Sequence, residues 1–131
     1  MLISFVFLNA CSSQQQYSSA NEAIKFVENN ITQIESPGDM NLNGIQPVSY
    51  KLTNDEIINV YDFGSEGNRE VGKKLFEDSI QLLSSHAPII YESGKYLVLY
   101  YSHADSKTWT PQLSETKYGE KIEKALKNIH D

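Results

Sequence analysis

The sequence of 131 residues is short of several residue types, and each shortage excludes a class of structure or partner. It contains one cysteine, Cys11, so it forms no disulfide within the chain and no metal site built from several thiolates. Basic residues are outnumbered, with 11 Lys plus Arg against 17 Asp plus Glu and a formal net charge of −6. Because nucleic acid and anionic lipid headgroups are bound through clustered positive charge, we expect neither as a partner.

Apolar runs are short as well. The one at residues 2–8 contains Leu, Ile, Phe and Val with a single serine and no charge. A helix rises about 1.5 Å per residue, so this run reaches less than half way across a hydrocarbon core of roughly 30 Å. It is too short for a transmembrane span but has the length of the apolar region of an export signal.

The apolar run ends in Cys11, and Leu8-Asn9-Ala10-Cys11 resembles the lipobox of bacterial lipoproteins. That resemblance implies that the Cys11 thiol receives a diacylglyceryl group and becomes the N-terminus after cleavage. It also implies attachment to the cell membrane on its extracytoplasmic face. The rest of the chain resembles the small lipoproteins of unknown function of Gram-positive bacteria. The alternative is that residues 2–8 form an ordinary buried strand and Cys11 is a small core residue.

The residues after Cys11 are uncharged, rich in Ser and Gln and poor in apolar side chains, which is typical of a flexible tether. About 120 residues remain after the signal, enough for one domain with one core. We therefore divide the chain into a signal segment at 1–10, a polar tether at 11–18 and a single domain at 19–131.

The domain alternates helical and strand patterns. Ser19 and Glu22 have the spacing of a capping box at a helix start, and the apolar side chains that follow recur every three or four residues. The predicted elements are a helix over 20–34, a hairpin over 48–52 and 56–63, a helix from residue 69, a hairpin over 89–91 and 95–102, and a helix over 118–129. In the second of these helices, the residues expected on the buried side are Val71, Leu75, Phe76, Ser79, Ile80, Leu82 and Leu83.

The order α-ββ-α-ββ-α predicts an α+β fold, with an antiparallel sheet of about four strands and helices packed on it. A strand over residues 96–101 would carry apolar or aromatic side chains on both of its faces, so we expect a central strand that is covered on both faces.

Titratable residues give little evidence of catalysis. His103 and Asp105, two residues apart, are candidate metal ligands, but a defined metal site needs three or four converging groups. Serine, histidine and aspartate do not occur at a spacing that favours a hydrolytic triad. We predict no catalytic residue and no cofactor.

Aromatic residues are the stronger candidates for recognition, because Trp and Tyr bury large amphipathic surfaces in binding hot spots. Tyr100 and Trp109 are the candidate partner-binding residues. No helix or strand pattern accounts for Trp109, which is either a lid over the core or an exposed anchor for a partner.

Together these features favour a membrane-anchored, non-enzymatic lipoprotein that binds an unknown protein or small ligand. By analogy with other lipoproteins, an immunity or exclusion role fits this description. The alternatives are a small extracytoplasmic enzyme and a metal-binding or solute-binding lipoprotein.

Overall fold

Strands and helices alternate along the chain, as seen in a computed structural model that describes residues 15–81, 87–104 and 108–130. Within these ranges the strands are β1 (Thr32–Ile34), β2 (Val48–Lys51), β3 (Ile57–Asp62), β4 (Ile89–Ser93) and β5 (Tyr96–Tyr101). The α-helices of the described ranges are α1 (Ala20–Lys25), α2 (Glu66–Ile80) and α3 (Gly119–Lys127). Short 3₁₀ turns lie at Gly38–Met40 and Leu113–Glu115.

The described strands form one sheet in the order β1-β2-β3-β5-β4, and every neighbouring pair is antiparallel. The predicted α+β class, with helices packed on an antiparallel sheet, is confirmed. The sheet has five described strands rather than about four, because β1 adds an edge strand that the sequence pattern did not indicate. Both predicted hairpins, β2–β3 and β4–β5, are present.

The central strand β5 shows how the core is divided. Alternate side chains of a strand point to opposite faces of the sheet. Tyr96, Val98 and Tyr100 join one apolar cluster with residues of α1 and α3, whereas Leu97 and Leu99 join a second cluster with residues of α2. The sheet is therefore a middle layer between α1 and α3 on one face and α2 on the other. This confirms the prediction of a central strand covered on both sides.

Helix α1 is much shorter than predicted. Its N-terminus is capped as expected, since the Ser19 hydroxyl accepts a hydrogen bond from the Glu22 N–H at 3.1 Å. The helix ends at Lys25, and the prediction that it continues to residue 34 is wrong. Residues Thr32–Ile34 pair with β2 instead, so their backbone groups gain partners in the sheet. β-Branched side chains at 31, 32 and 34 fit this extended conformation.

Helix α2 begins three residues earlier than predicted, because Ser65 caps it by accepting a hydrogen bond from the Asn68 N–H at 3.1 Å. Its buried side is also rotated from the prediction. The buried residues are Gly72, Phe76 and Ile80, so the expected burial of Phe76 and Ile80 is confirmed. Ser79 is exposed, contrary to the prediction, and Leu82 and Leu83 lie outside the described residues. The expected burial of Val71 and Leu75 is wrong, since these side chains are 48% and 44% exposed.

The rotation of α2 follows from Gly72. A Cβ atom at this position would lie 2.3 Å from the tip of the Phe63 ring. The Phe63 ring is itself buried and stacks on Tyr61, with ring centroids 5.7 Å apart. The absence of a side chain at Gly72 thus lets the helix approach the sheet closely, and this line of contact becomes the buried one.

The two ends of the described domain lie together. The Tyr17 N–H donates to the Asn128 carbonyl at 2.9 Å, and the His130 N–H donates to the Tyr17 carbonyl at 2.7 Å. Tyr17 is buried in the core, so the described domain begins two residues earlier than the predicted boundary at residue 19. The chain therefore enters the domain beside the C-terminal end of α3.

Candidate functional site

Tyr100, which the sequence predicted as a partner-binding residue, is completely buried. Its hydroxyl donates a hydrogen bond to the Glu56 carboxylate at 2.6 Å, and it lies 3.4 Å from the Tyr118 N–H, which donates to it. Burial raises the pKa of Tyr100 well above its ordinary value, and the neighbouring Glu56 raises it further. Tyr100 is thus a protonated core donor, and its assignment to a binding surface is wrong because partners cannot reach its side chain.

His103 lies at the surface just after β5. Its backbone N–H donates to the buried Glu56 carboxylate at 2.8 Å, which holds the start of this loop against the end of the sheet. Asp105, the second predicted metal ligand, lies outside the described residues. Among the residues that are described, no group of three or more His, Cys, Asp or Glu side chains converges on a point.

Trp109 lies on the loop between β5 and α3, and 44% of its surface is exposed. The loop backbone is fixed at this point, because the Trp109 carbonyl accepts a hydrogen bond from the Ala87 N–H at 2.9 Å. The adjacent Thr108 hydroxyl donates to the Thr110 carbonyl at 2.7 Å. This combination places a large aromatic side chain at the surface on an ordered turn, as a recognition residue requires.

Cys11 lies outside the described residues. The first described residues nevertheless border a surface that the sequence did not reveal, which we call the N-terminal groove. It has a volume of about 690 Å³ and lies between the start of the domain, the end of α1 and the outer face of α3. Its lining consists of Gln15, Tyr17, Phe26, Val27, Lys121, Lys124, Ala125, Lys127 and Asn128.

Phe26 is the most exposed large apolar side chain in the described part of the chain, at 57%. It occupies the position directly after α1, where the helix ends earlier than its apolar periodicity predicts. Its ring stacks on that of Tyr17, with centroids 5.3 Å apart. An exposed aromatic residue thus lies beside the point where the chain enters the domain.

The basic side of the N-terminal groove comes from α3. Ile122, Ala125 and Leu126 bury the apolar face of this helix. Lys121 and Lys124 project to the other side, and neither forms an ion pair with a described residue. Lys127 forms a long ion pair with Glu123, at 3.9 Å. The described lining of this groove therefore has three lysines and no acidic residue, in a chain whose net charge is −6.

A second exposed apolar strip lies on the outer face of α2. Val71 and Leu75 form its centre, and charged residues from the same helix flank it on both sides. One of the flanking lysines, Lys74, forms an ion pair with Asp78 at 3.8 Å. Because positive and negative side chains both flank the two aliphatic residues, this strip does not favour a ligand of either charge.

Comparisons of this chain with protein-family models, with curated proteins and with solved structures found no match. The resemblance at Leu8-Asn9-Ala10-Cys11 therefore stays a prediction. In the part of the chain that the structure describes, no helix has the length and apolar character needed to cross a membrane.

Proposed function

We propose that this chain is a lipid-anchored binding module on the extracytoplasmic face of the cell membrane, without enzymatic activity. Cys11 is the attachment point, and Trp109 is the residue that contacts a protein or small-ligand partner. The observation that carries the recognition part is the half-exposed indole of Trp109 on a hydrogen-bonded turn.

The order of segments supports the anchoring part of the proposal. An apolar run, a cysteine and a polar stretch precede a domain that begins at Tyr17. Two acyl chains or more give stable membrane attachment, whereas one chain gives only marginal binding. A domain held in this way has a raised local concentration for any partner in or near the same membrane, so a modest contact surface is sufficient for function.

Cell fractionation of a Cys11→Ala variant tests the anchor. The substitution removes the only thiol, so the variant is expected in the medium or as an unprocessed precursor rather than in the membrane as the mature protein. Ser12→Ala is the matched control, since it makes an equally small change one residue away. A Cys11→Ala protein that is processed and fractionates like the parent contradicts the proposal.

Photo-crosslinking in intact cells tests the recognition part. A photoreactive aromatic residue replaces Trp109 in one variant and Val71, which is similarly exposed on α2, in the other. We expect a discrete crosslinked species from position 109 and none of the same mass from position 71. Equal crosslinking from both positions, or none from position 109, contradicts a contact at Trp109.

A further inference from the structure

We propose that the N-terminal groove is the face that the domain lays on the membrane, with Phe26 at the lipid interface and the α3 lysines on anionic phospholipid headgroups. This inference rests on the lipid anchor at Cys11 proposed above. It reverses the expectation from net charge that anionic headgroups are not partners. Total charge averages over the whole surface, whereas binding depends on the charge of the surface that makes contact.

Chain length restricts how far this face can lie from the bilayer. Five residues, 12–16, lie between the lipid-bearing Cys11 and the fixed position of Tyr17, so six Cα–Cα steps join the two. Even a fully extended chain of this length spans only about 20 Å. Because Tyr17 itself lines the N-terminal groove, the groove is the part of the described domain nearest to the anchor along the chain.

The charge of the groove is complementary to an anionic membrane. Lys121 and Lys124 have no described ion-pair partner, and Lys127 has only the long contact to Glu123. Each lysine near an anionic leaflet strengthens binding by about fivefold at ordinary ionic strength. The effect falls off within a Debye length of about 8 Å, so lysines elsewhere on the domain contribute much less.

Phe26 supplies the apolar part of the contact. An aromatic side chain beside a row of lysines is the pattern by which peripheral proteins sit at the boundary between headgroups and acyl chains. The stacking of Phe26 on the buried Tyr17 holds its ring in a fixed place on this surface. A small anionic ligand would need the lysines but would not account for an aromatic ring that is exposed beside them.

The test measures, by fluorescence, how deeply a single tryptophan enters the bilayer in each of two variants of the full chain. Trp109 is the only tryptophan, so Trp109→Phe gives a silent background into which Phe26→Trp or Val71→Trp is introduced. Val71 is the matched control, because it is about as exposed as Phe26 but lies on α2, across the sheet. Cys11, the only thiol, is coupled to a maleimide lipid in phosphatidylcholine vesicles that do or do not contain phosphatidylglycerol.

Brominated lipids quench the fluorescence of a tryptophan that reaches the acyl chains. When phosphatidylglycerol is present, we expect strong quenching of the tryptophan fluorescence in the Phe26→Trp variant and little in the Val71→Trp variant. Quenching of the Phe26→Trp variant should decline with added salt and in vesicles of phosphatidylcholine alone. Equal quenching of the two variants, or quenching of the Phe26→Trp variant that does not depend on phosphatidylglycerol, overturns the proposal.

A binding measurement on the mature-length chain, which begins at residue 11, carries Cys11→Ala and lacks the apolar run at residues 2–8, tests the lysines directly. Lys121→Gln with Lys124→Gln should weaken partitioning onto phosphatidylglycerol vesicles by about thirtyfold, since two lysines are lost. Lys51→Gln with Lys74→Gln removes the same charge from exposed positions elsewhere and should change partitioning much less. Equal effects of the two pairs contradict a lysine surface on α3.

The two proposals fail separately. The maleimide lipid attaches Cys11 chemically, so the quenching result does not depend on whether cells acylate this residue. If fractionation shows that Cys11→Ala behaves like the parent, the lipid anchor is refuted while the vesicle result still decides whether the groove binds anionic lipid. If the anchor holds but the Phe26→Trp and Val71→Trp variants are quenched alike, only the orientation proposed here is refuted.

Discussion

Substitution of Gly72 by alanine should destabilise the protein, although alanine is the better helix former. In an open helix interior, Gly→Ala stabilises by about 0.5–1 kcal/mol. At Gly72, however, the new Cβ would lie 2.3, 2.5 and 2.9 Å from three atoms of the Phe63 ring. Those distances are far below van der Waals contact, so the ring or the helix must move.

The Phe63 ring cannot move without loss, because it is buried and stacks on Tyr61. Overpacking of a core typically costs about 1–3 kcal/mol, which outweighs the gain in helix propensity. We expect Gly72→Ala to lower the free energy of unfolding by about 2 kcal/mol in chemical denaturation at unchanged m-value.

Gly67 provides the matched control within the same helix. A Cβ atom at Gly67 has no neighbour within 4 Å, so Gly67→Ala should be neutral or stabilising by up to about 1 kcal/mol. Phe63→Leu in the Gly72→Ala background should recover part of the loss, and a double-mutant cycle measures that coupling. Equal stabilities of Gly72→Ala and Gly67→Ala, or a coupling of zero, would refute the explanation of why α2 packs where it does.

Three further predictions concern the core, the surface and the response to pH. Leu99→Ala should lower the free energy of unfolding by about 2–5 kcal/mol because the side chain is fully buried, whereas Gln15→Ala should change it little. An unchanged denaturation midpoint for Leu99→Ala would place β5 at the periphery. Trp109→Ala should weaken partner binding by roughly thirtyfold with an almost unchanged melting temperature, and a clear fall in melting temperature would instead make Trp109 a lid on the core. Burial raises the pKa of Tyr101 to about 12 in the folded protein. The contribution of its protonated hydroxyl to the free energy of unfolding is complete below the unfolded pKa of about 10 and is lost as pH rises through the folded value. The free energy of unfolding should therefore fall between about pH 10 and 12, and a flat profile in that range would show that the Tyr101 hydroxyl is not shielded from solvent.

The hairpins and the central strand could be predicted because their signals are local. The turn residues at 53–55 and 92–94 separate apolar runs of strand length, and β5 has apolar residues at successive positions. Such patterns do not depend on which distant element packs on them, so the structure confirms both hairpins, although β4 continues to Ser93 and the second turn lies at residues 94–95.

The errors in α1 and α2 have a different origin. Ile31 and Ile34 continue the helical spacing of α1, but pairing of Thr32–Ile34 with β2 is a long-range interaction that a local pattern does not contain. In α2 the spacing of Gly72, Phe76 and Ile80 is visible in the sequence, but a glycine marks a buried contact only when its partner, here Phe63, is known.

The N-terminal groove was missed for the same reason. Its exposed aromatic ring, Phe26, lies just after α1, and its lysines come from a helix about 100 residues later in the chain, so no local pattern brings them together. The usable signal in the sequence is the spacing of Lys121 and Lys124, which places both on one side of α3. Trp109, in contrast, could be singled out in advance, because no strand or helix pattern accounted for it.

The most direct test of the lipid-anchored binding module is mass spectrometry of the protein isolated from the membrane fraction of cells that express the full chain. The account predicts an N-terminal peptide that begins at Cys11 and carries the mass of two or more acyl chains. A peptide that contains unmodified Cys11 joined to the residues before it would contradict the account.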